Sequence, residues 1–584
     1  MSEGFARWQA GTIREPALAD PQAPARAGTW VVRGVLIAAI LLGFFLRVYR
    51  PGADSPAWYD FFNADEAHYS YAVQNKIEFG QFFVNDAKYS LTYPLFSAMQ
   101  YLWAAPWSDD WGLARYRMVS VSNGIVLCLL IGLFFPRGWL RLAAVALASL
   151  SFSGVVHSRY GIPEMSLAAV MTATVLLAIK GWQAHRKWWW FAAGVGAIAC
   201  LATKLTGIVM IPVLLFAPIL SAQTRERRWT YYRAVLSGMA VAALAYVAVA
   251  ILPDRAAWLY FQGASTLYAR RTAAADPLQF LANVAKLVSS PALQTMVILW
   301  MTWIAWVGLV FVRRLIRRDV SPYDAAIVTW LLGCVGVLST TSYQPARWQV
   351  VLLPAVIILG LRFFLDIKSR MAAIGVFAAG VAYALIPILM DSLAVVTEPL
   401  GSARLLQERL LVLLVVSVVV CLLGVCYARY SKAGWRVVLM WAVIPLELVW
   451  QLFLVGIHVV PAYGRPDHWE RFASEVKALN SAGDMCIGGP LVQDVSLRVR
   501  VRTAPTFYLL YEPHMNDLGV YGFFSRYKPR PTHLLLTNDD VDSWFGRMPD
   551  LMKHTSLVVS EEHVSGGGVR MVYLLKLDPD YWNR

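Results

Sequence analysis

Charged residues are scarce in this sequence. Asp, Glu, Lys and Arg make up 15% of its 584 residues, whereas 58% are hydrophobic. Soluble domains carry about 25% charged residues, so a single soluble core is excluded and several membrane spans are indicated. Cysteine is also rare, with six residues. All but Cys486 fall in apolar runs, where cysteine behaves as a small hydrophobic residue, so neither a disulfide framework nor a thiolate zinc site is predicted.

Several motifs of soluble chemistry are missing as well. We find no Gly-rich phosphate loop, nucleophile elbow or P-loop, so a soluble nucleotide is not expected as the energy source. His68 and His157 lack a metal-ligand spacing, so no metal site is predicted and no cofactor is obligatory; a divalent metal is possible without being indicated. The two halves show no matching pair of broken spans of the kind that inverted-repeat transporters have.

Long apolar runs dominate what is present. A helix needs about 20 apolar residues to cross a membrane, and the sequence offers about thirteen such runs. They lie near 31–48, 117–135, 139–156, 163–180, 188–203, 205–220, 234–252, 292–312, 324–341, 348–365, 372–390, 408–427 and 436–459. One helix over 188–220 would reach about 50 Å, too long for one span, so we predict a break at Thr203-Lys204.

The formal net charge of +15 has a topological explanation. With a cytoplasmic N-terminus, the inner loops are PRGWLR, KGWQAHRK, SAQTRERRWTYYR, RRLIRRDVSPY, IKSRM and YARYSKAGW, all of them basic. This is the positive-inside pattern, so nucleic-acid binding, which needs one basic patch, is not favoured. No small-residue cleavage site follows the first run, so it is predicted to be retained. An odd span count sends the C-terminus outside, and a bacterial inner membrane is the predicted location.

The predicted fold class is an α-helical multi-span membrane protein with a small C-terminal α/β domain. Its parts are a cytoplasmic tail (1–30), a membrane domain (31–459) with outer loops at 49–116 and 253–291, and an extracytoplasmic domain (460–584). The last part has a mixed polar composition, with the strand-like runs HLLLTN and VYLLKL and the helix-like run WERFASEVKALN, which favours an α/β domain.

Two adjacent carboxylates, Asp65 and Glu66, follow the first apolar run in FFNADEAHYSYAVQNK. Asn63 and Glu66 have the spacing of a capping box, and Gly80 would end the helix. In that interpretation both carboxylates only gain from the helix dipole. The helix would begin at the outer membrane face among aromatic residues, however, where a partly desolvated carboxylate is a stronger base. Both interpretations stay open at this point.

Further polar residues occur at the outer ends of predicted spans, where a shared site is expected. Lys204 would cost about 3 kcal/mol if it faced lipid at mid-depth, so it either faces protein, water or an anion, or snorkels to the interface. Arg347 is either an interfacial anchor or an anion clamp. The full set is Tyr93, Arg117, His157, Arg159, Glu164, Lys204, Arg270, Arg271 and Arg347.

The order of these features resembles the C-type membrane glycosyltransferases, in the branch of the protein O-mannosyltransferases and lipid A aminoarabinose transferases. The resemblance covers about residues 31–365, and thirteen spans with an outer terminal domain are similar to the aminoarabinose transferase layout. The matching pieces are Asp65-Glu66-Ala67-His68-Tyr69, Thr92-Tyr93-Pro94-Leu95, Arg117, HSRYGIPEMS, Ala202-Thr203-Lys204, and Pro345-Ala346-Arg347-Trp348 with Leu353-Pro354.

The resemblance implies transfer of a sugar from a polyprenyl-phosphate carrier to an acceptor protein, lipid or glycan on the outer side, with inversion. The implied catalytic residues are Asp65 as the base and Glu66 as a helix cap or acceptor contact. Lys204 and Arg347, with Arg270 or Arg271, would bind the donor phosphate. The implied substrate-binding residues are Tyr69, Tyr93, Arg117, His157, Arg159 and Glu164.

The sequence also departs from the family. Leu91-Thr92-Tyr93-Pro94 stands where aminoarabinose transferases carry E-K-P-P, and Glu164 stands where Asp is usual, so the acceptor stays open. Two other hypotheses remain. A transporter or flippase of a lipid-linked or anionic substrate would line a path with Lys204 and Arg347 at mid-depth. A non-enzymatic assembly factor would bind a partner through the terminal domain.

Overall fold

The structure is a computed structural model that describes most of residues 26–583. The residues outside the description are 1–25, 54–63, 81–92, 108–111, 137, 256–257, 260–272, 289–295, 343, 377–434, 464–468, 506–521, 523, 526–528, 539, 542–549, 566–567 and 584. The predicted span 408–427 and most of 372–390 therefore lie outside the described residues, as do Asn63, Arg270 and Arg271.

Most of the described residues up to 463 lie in helices. Those of the first part are α1 (Arg26–Val48), α2 (Ala64–Phe79), α3 (Pro94–Ala104), α4 (Leu113–Gly132), α5 (Trp139–Leu150), α6 (Phe152–Ser158), α7 (Pro163–Ala184), α8 (Lys187–Thr203), a 3₁₀ helix (Leu205–Val209), α9 (Met210–Leu220) and α10 (Arg225–Tyr246), which runs on as a π-helix (Val247–Ile251) and a 3₁₀ turn (Leu252–Asp254).

The described residues from 277 to 463 are also mainly helical. Its helices are α11 (Pro277–Val288), α12 (Val297–Trp306), a π-helix (Val307–Phe311), α13 (Val312–Ile316), α14 (Pro322–Ser339), a 3₁₀ helix (Ala346–Leu352), α15 (Leu353–Asp366), α16 (Trp435–His458) and α17 (Val460–Tyr463).

Seven helices among the described residues are long and apolar enough to cross a membrane, or eight if the bent pair α5 and α6 forms one span. The prediction of a multi-span membrane protein is therefore confirmed, whereas the count of thirteen stays a prediction. Buried apolar side chains of α5, α7, α8, α14 and α15 form one continuous core.

The predicted break between α8 and α9 is confirmed. Helix α8 ends at Thr203, and Lys204 is extended, with φ −161° and ψ 144°. A 3₁₀ helix follows at once. Gly207 allows this turn to pass close to α8, because a Cβ there would clash with the backbone carbonyl of Cys200. The break places the ammonium-bearing residue at a helix end.

A second break bends α5 and α6 by 57°. It exposes backbone groups that need partners inside a membrane. Arg47 of α1 donates hydrogen bonds to the carbonyls of Ala148 (3.1 Å) and Ser149. Gln451 of α16 accepts the N–H of Phe152 at 2.7 Å. These side chains hold α6 in place ahead of the link to α7.

The predicted helix stop at Gly80 is also confirmed. Helix α2 ends at Phe79, and Gly80 has φ 75°, a left-handed conformation that glycine adopts without strain.

The C-terminal part contains a five-stranded sheet in the order β2-β1-β3-β5-β4. Strands β1 and β2 are parallel, as are β1 and β3, whereas β5 runs antiparallel to β3 and β4. Its elements are α18 (Glu470–Leu479), β1 (Cys486–Gly489), α19 (Val492–Ser496), β2 (Arg502–Pro505), β3 (His533–Thr537), a 3₁₀ helix (Leu551–His554), β4 (Thr555–Ser565), β5 (Gly568–Leu577) and a 3₁₀ turn (Tyr581–Asn583).

Side chains of β3 alternate between two small cores. Leu535 packs with Trp469, Phe472 and other apolar residues around α18, whereas Leu534 and Leu536 face the cluster on the other side. The helix and both strands that we predicted from the three sequence runs are present. The domain boundaries and the side of the membrane on which the sheet lies stay predictions.

Candidate functional site

Two cations share one buried carboxylate at a meeting point of helix ends. Lys204 follows α8, and its Nζ donates a hydrogen bond to Oε1 of Glu164. Arg347 lies at the start of its 3₁₀ helix, and its Nε lies 3.4 Å from the same Oε1. Glu164 and Lys204 are 1% and 4% exposed. We call Glu164, Lys204 and Arg347 the charge cluster, which has a net positive charge.

The local sequence explains why Glu164 lies there. Ile162 is extended, as the residue before a proline usually is, and Pro163 occupies the first position of α7, where proline is favoured. Glu164 therefore falls in the first helical turn, where the partial positive charge of the helix N-terminus stabilises a carboxylate.

Aromatic rings flank the ammonium group of Lys204. Its Nζ lies 5.7 Å from the ring centre of Tyr69 and 5.6 Å from that of Trp348. Both distances are within the range of cation–π attraction. The ring of Tyr69 in turn packs against Tyr93 at 5.6 Å. The rings thus make a hydrophobic wall beside a charged group.

Asp65 precedes Tyr69 by four residues in α2. Residues four apart share one face of a helix, and one turn rises 5.4 Å. The backbone of Asp65 therefore lies one turn of α2 away from that of Tyr69, whose ring lies beside Lys204 of the charge cluster. The side chain of Asp65 is outside the described part of the chain, as are Arg270 and Arg271.

Glu66 has partners on two other segments. Its carboxylate forms a two-point pair with Arg117 of α4, with Nε–Oε1 and Nη2–Oε2 distances of 2.7 Å. Oε1 also accepts the N–H of Gly161 at 2.6 Å. Arg117 donates further hydrogen bonds to the carbonyls of Pro51 (3.0 Å) and Ala53 (2.6 Å). Glu66 therefore fixes α2 against α4 and the α6–α7 link.

Arg159 holds the chain that follows α1. It donates to the carbonyls of Tyr49 (2.7 Å) and Arg50 (2.8 Å), and its guanidinium lies 4.3 Å from the ring centre of Tyr463. Burial lowers the pKa of Arg159 to about 10, so it stays charged at neutral pH. His157 of α6 has its Nδ1 2.7 Å from the carbonyl oxygen of Ser153, which fixes the Nδ1–H tautomer.

The structure brings together part of the predicted site. The residues that meet at the charge cluster are Tyr69, Tyr93, Glu164, Lys204 and Arg347. Arg117 and Arg159 instead bind backbone carbonyls, and their contact with substrate stays a prediction. Trp348 and Gly161 were not among the predicted site residues. Trp348 could have been predicted because it is an aromatic residue next to Arg347. No sequence feature of this kind marks Gly161.

The described residues contain no group of three or more His, Cys, Asp and Glu that could hold a metal ion. The chemistry of the charge cluster suits a different ligand. Two cations beside aromatic rings, at one end of a helix bundle, can bind an anion that carries an apolar chain.

Apolar spans and a cationic cluster at helix ends define a multi-span membrane protein with a buried charge cluster. Its fold is similar to that of ArnT, a lipid A aminoarabinose transferase, from Cupriavidus metallidurans, in a crystal structure bound to undecaprenyl phosphate. The TM-score is 0.61 at 17% sequence identity, over 94% of this chain and 98% of that chain. The apo state of the same protein gives the same values.

A more distant similarity is to arabinosyltransferase EmbB from Mycobacterium smegmatis, with a TM-score of 0.37, 13% identity, and coverage of 78% of this chain and 43% of that chain. No conclusion depends on it. No protein-family model and no curated protein matches the sequence. The sequence resemblance to the C-type membrane glycosyltransferases is confirmed at the level of the fold.

Proposed function

We propose that the protein is an integral membrane glycosyltransferase that moves a sugar from a polyprenyl-phosphate donor to an acceptor on the outer face of the membrane. The observation that supports it most is the convergence of Lys204 and Arg347 next to the helix that carries Asp65. The shared fold adds support, since an ArnT structure holds undecaprenyl phosphate.

The proposed reaction is one inverting displacement. The acceptor oxygen or nitrogen forms a bond to the anomeric carbon, and the bond from that carbon to the phosphate oxygen breaks. The electron pair of the broken bond goes to the phosphate oxygen, and the acceptor proton goes to Asp65 as general base.

Lys204 and Arg347 stabilise the charge that develops on the leaving phosphate. They are held before the reaction by Glu164 and by the rings of Tyr69 and Trp348, so little reorganisation is needed when the charge appears. The phosphate bond supplies the energy, so the reaction requires no nucleotide.

The pair of carboxylates in α2 has two separate roles in this proposal. Glu66 is fully engaged with Arg117 and Gly161, so it positions the helix. Asp65, one residue earlier, is the base. The acceptor and the sugar, hexose or pentose, stay open.

The test is sugar transfer by the purified full-length protein supplied with radiolabelled polyprenyl-phosphate sugars and an extract of envelope acceptors. Asp65→Asn should lower the transfer rate by about 100- to 10,000-fold, the usual contribution of a general base. Donor binding should persist, because the charge cluster is unchanged.

Asp276→Asn is the matched control. Asp276 is exposed and caps α11 through its Oδ1, a role that an amide oxygen keeps. Transfer at the wild-type rate by Asp65→Asn would show that Asp65 is not the base. Absence of donor binding by the wild-type protein would overturn the transferase proposal, and vectorial movement of donor without transfer would favour a flippase.

A further inference from the structure

Glu164 occupies the groups that the proposed function assigns to the donor phosphate. Its Oε1 accepts the hydrogen bond of Lys204 and lies 3.4 Å from Nε of Arg347. A phosphate that binds these two cations through the same N–H groups therefore competes with Glu164 for them.

The two oxygens of the Glu164 carboxylate differ in their hydrogen-bond partners. Oε2 of Glu164 is buried and has no hydrogen-bond partner among the described residues. The carboxylate is therefore held largely by the two cations. The side chain of Arg347 is 16% exposed, so the cluster is not fully buried on that side.

We infer that Glu164 is an internal counter-ion that pairs with Lys204 and Arg347 between turnovers and is displaced from them by the phosphate of the lipid carrier. This inference rests on the proposed function. A carboxylate and a phosphate compete for the same N–H donors, since both accept charge-assisted hydrogen bonds from lysine and arginine.

The competition matters most after the transfer. The donor is a phosphate diester with one negative charge. The released polyprenyl phosphate is a monoester whose second ionisation lies near pH 6, so it binds two cations more tightly than the donor does. Glu164, by pairing again with Lys204 and Arg347, speeds the departure of this product.

A purely supporting role for Glu164 predicts the opposite change in phosphate affinity when Glu164 is removed. If Glu164 only holds the two cations in place, its removal disorders them and weakens phosphate binding. If Glu164 competes with the phosphate, its removal strengthens phosphate binding.

The experiment compares wild type with Glu164→Gln in the full-length protein in lipid nanodiscs, with undecaprenyl phosphate as the probe. We expect Glu164→Gln to bind the probe about tenfold more tightly. Retention of radiolabelled undecaprenyl phosphate by protein-loaded nanodiscs, above that by empty nanodiscs, measures binding. The probe should also raise the melting temperature of Glu164→Gln more than that of wild type. With radiolabelled donor, both KM and kcat should fall as product is retained.

Asp324→Asn is the matched control. Asp324 is also a buried carboxylate in the first turn of a helix, and it is shared by Arg314 (2.5 Å) and Arg362 (2.9 Å). It lies in the first turn of α14, about 22 Å along the helix from its other end. Its replacement should lower stability without tightening the binding of the probe. Glu164→Asp, which keeps the charge, should bind the probe as wild type does.

Weaker or unchanged binding by Glu164→Gln would overturn the inference and leave the transferase proposal standing. Binding by neither protein would overturn both. If Glu164→Gln fails to fold, wild type, Glu164→Ala and Glu164→Asp are each assembled in the presence of the probe. Recovery of folded Glu164→Ala at a lower probe concentration than Glu164→Asp needs supports competition. No recovery of folded Glu164→Ala contradicts it.

Discussion

Glu66 and Glu164 are both buried carboxylates in the first turn of a helix, yet their partners differ. Glu66 has a two-point pair with Arg117 and an N–H from Gly161, so both of its oxygens are engaged. Glu164 engages its cations through one oxygen. The first arrangement suits a fixed structural link, and the second suits a partner that is exchanged.

At the residue scale we predict that Glu66→Gln destabilises the protein by about 3 to 5 kcal/mol, because it leaves the buried guanidinium of Arg117 without its countercharge. Glu66 and Arg117 are 1% and 0% exposed. Denaturant unfolding in detergent, followed by circular dichroism, measures the effect.

Asp65→Asn in the same helix is the control for this prediction, and its free energy of unfolding should stay close to that of wild type if Asp65 is the base. Equal stability of Glu66→Gln and wild type would mean that the pair with Arg117 is not formed in the protein.

At the scale of elements, breaks between helices place the charges. Lys204 within an apolar run is a local signal, and it was enough to predict the end of α8. A shared site for Lys204, Glu164 and Arg347 was expected from the sequence, but the pairing of one Glu164 oxygen with both cations was not, because these residues are far apart along the chain and no local pattern records the packing of α7 and α8 beside the 3₁₀ helix. The link between α6 and α7 escaped prediction for the same reason.

A substitution at Gly161 tests how tightly the α6–α7 link packs against Glu66. A Cβ at this position would lie 3.1 Å from Oε1 of Glu66 and 3.1 Å from the carbonyl oxygen of Tyr116. We expect Gly161→Ala to lower the free energy of unfolding by about 1 to 3 kcal/mol, as other overpacked sites do. It should also lower sugar transfer, because it moves Glu66 and with it the helix of Asp65.

Gly336→Ala is the matched control, since Gly336 lies inside α14 and nothing lies within 4 Å of a Cβ added there. Alanine is the better helix former, so this variant should be slightly more stable than wild type. A stable and fully active Gly161→Ala would show that the α6–α7 link is loosely packed.

At the scale of the whole molecule, α19 and β2 of the C-terminal part hold the helix that carries Asp65. Gln74 Nε2 donates to the carbonyl of Ser496, and Ser496 Oγ donates to Gln74 Oε1 at 2.9 Å. Tyr71 OH donates to the carbonyl of Thr503, whose hydroxyl donates back to Tyr71, both at 3.1 Å. No sequence pattern predicted these contacts, because each joins residues more than 400 positions apart.

Phe79 extends this interface to the end of α2. The guanidinium groups of Arg500 and Arg502 lie 5.9 Å and 5.6 Å from its ring centre. Leu497 is buried with Ala67 and other apolar residues of the same helix. The terminal sheet is therefore part of what positions the proposed base, in addition to any role in binding an acceptor.

We predict that Gln74→Leu with Thr503→Val lowers kcat of sugar transfer by tenfold or more while KM for the donor changes little. The carbonyl oxygen of Ser496 loses its donor from Gln74, and Tyr71 loses one of its two hydrogen bonds to Thr503. A buried group left unsatisfied costs about 1 to 3 kcal/mol, so α2 is expected to shift at the interface. The phosphate site changes less, because Lys204 and Arg347 are held by Glu164 on other helices. Steady-state kinetics with radiolabelled donor separate the two parameters.

Lys553→Ala is the control, since Lys553 belongs to the same C-terminal part but its side chain is 74% exposed and pairs with Asp550 at the surface. Its kcat should equal that of wild type. Thr503→Ser, which keeps the hydroxyl that donates to Tyr71, should retain most of the rate if position is the cause. A parallel rise in KM would instead mean that the interface supports the whole site, and unchanged kinetics would mean that α2 is held by Glu66 and Arg117 without help from the sheet.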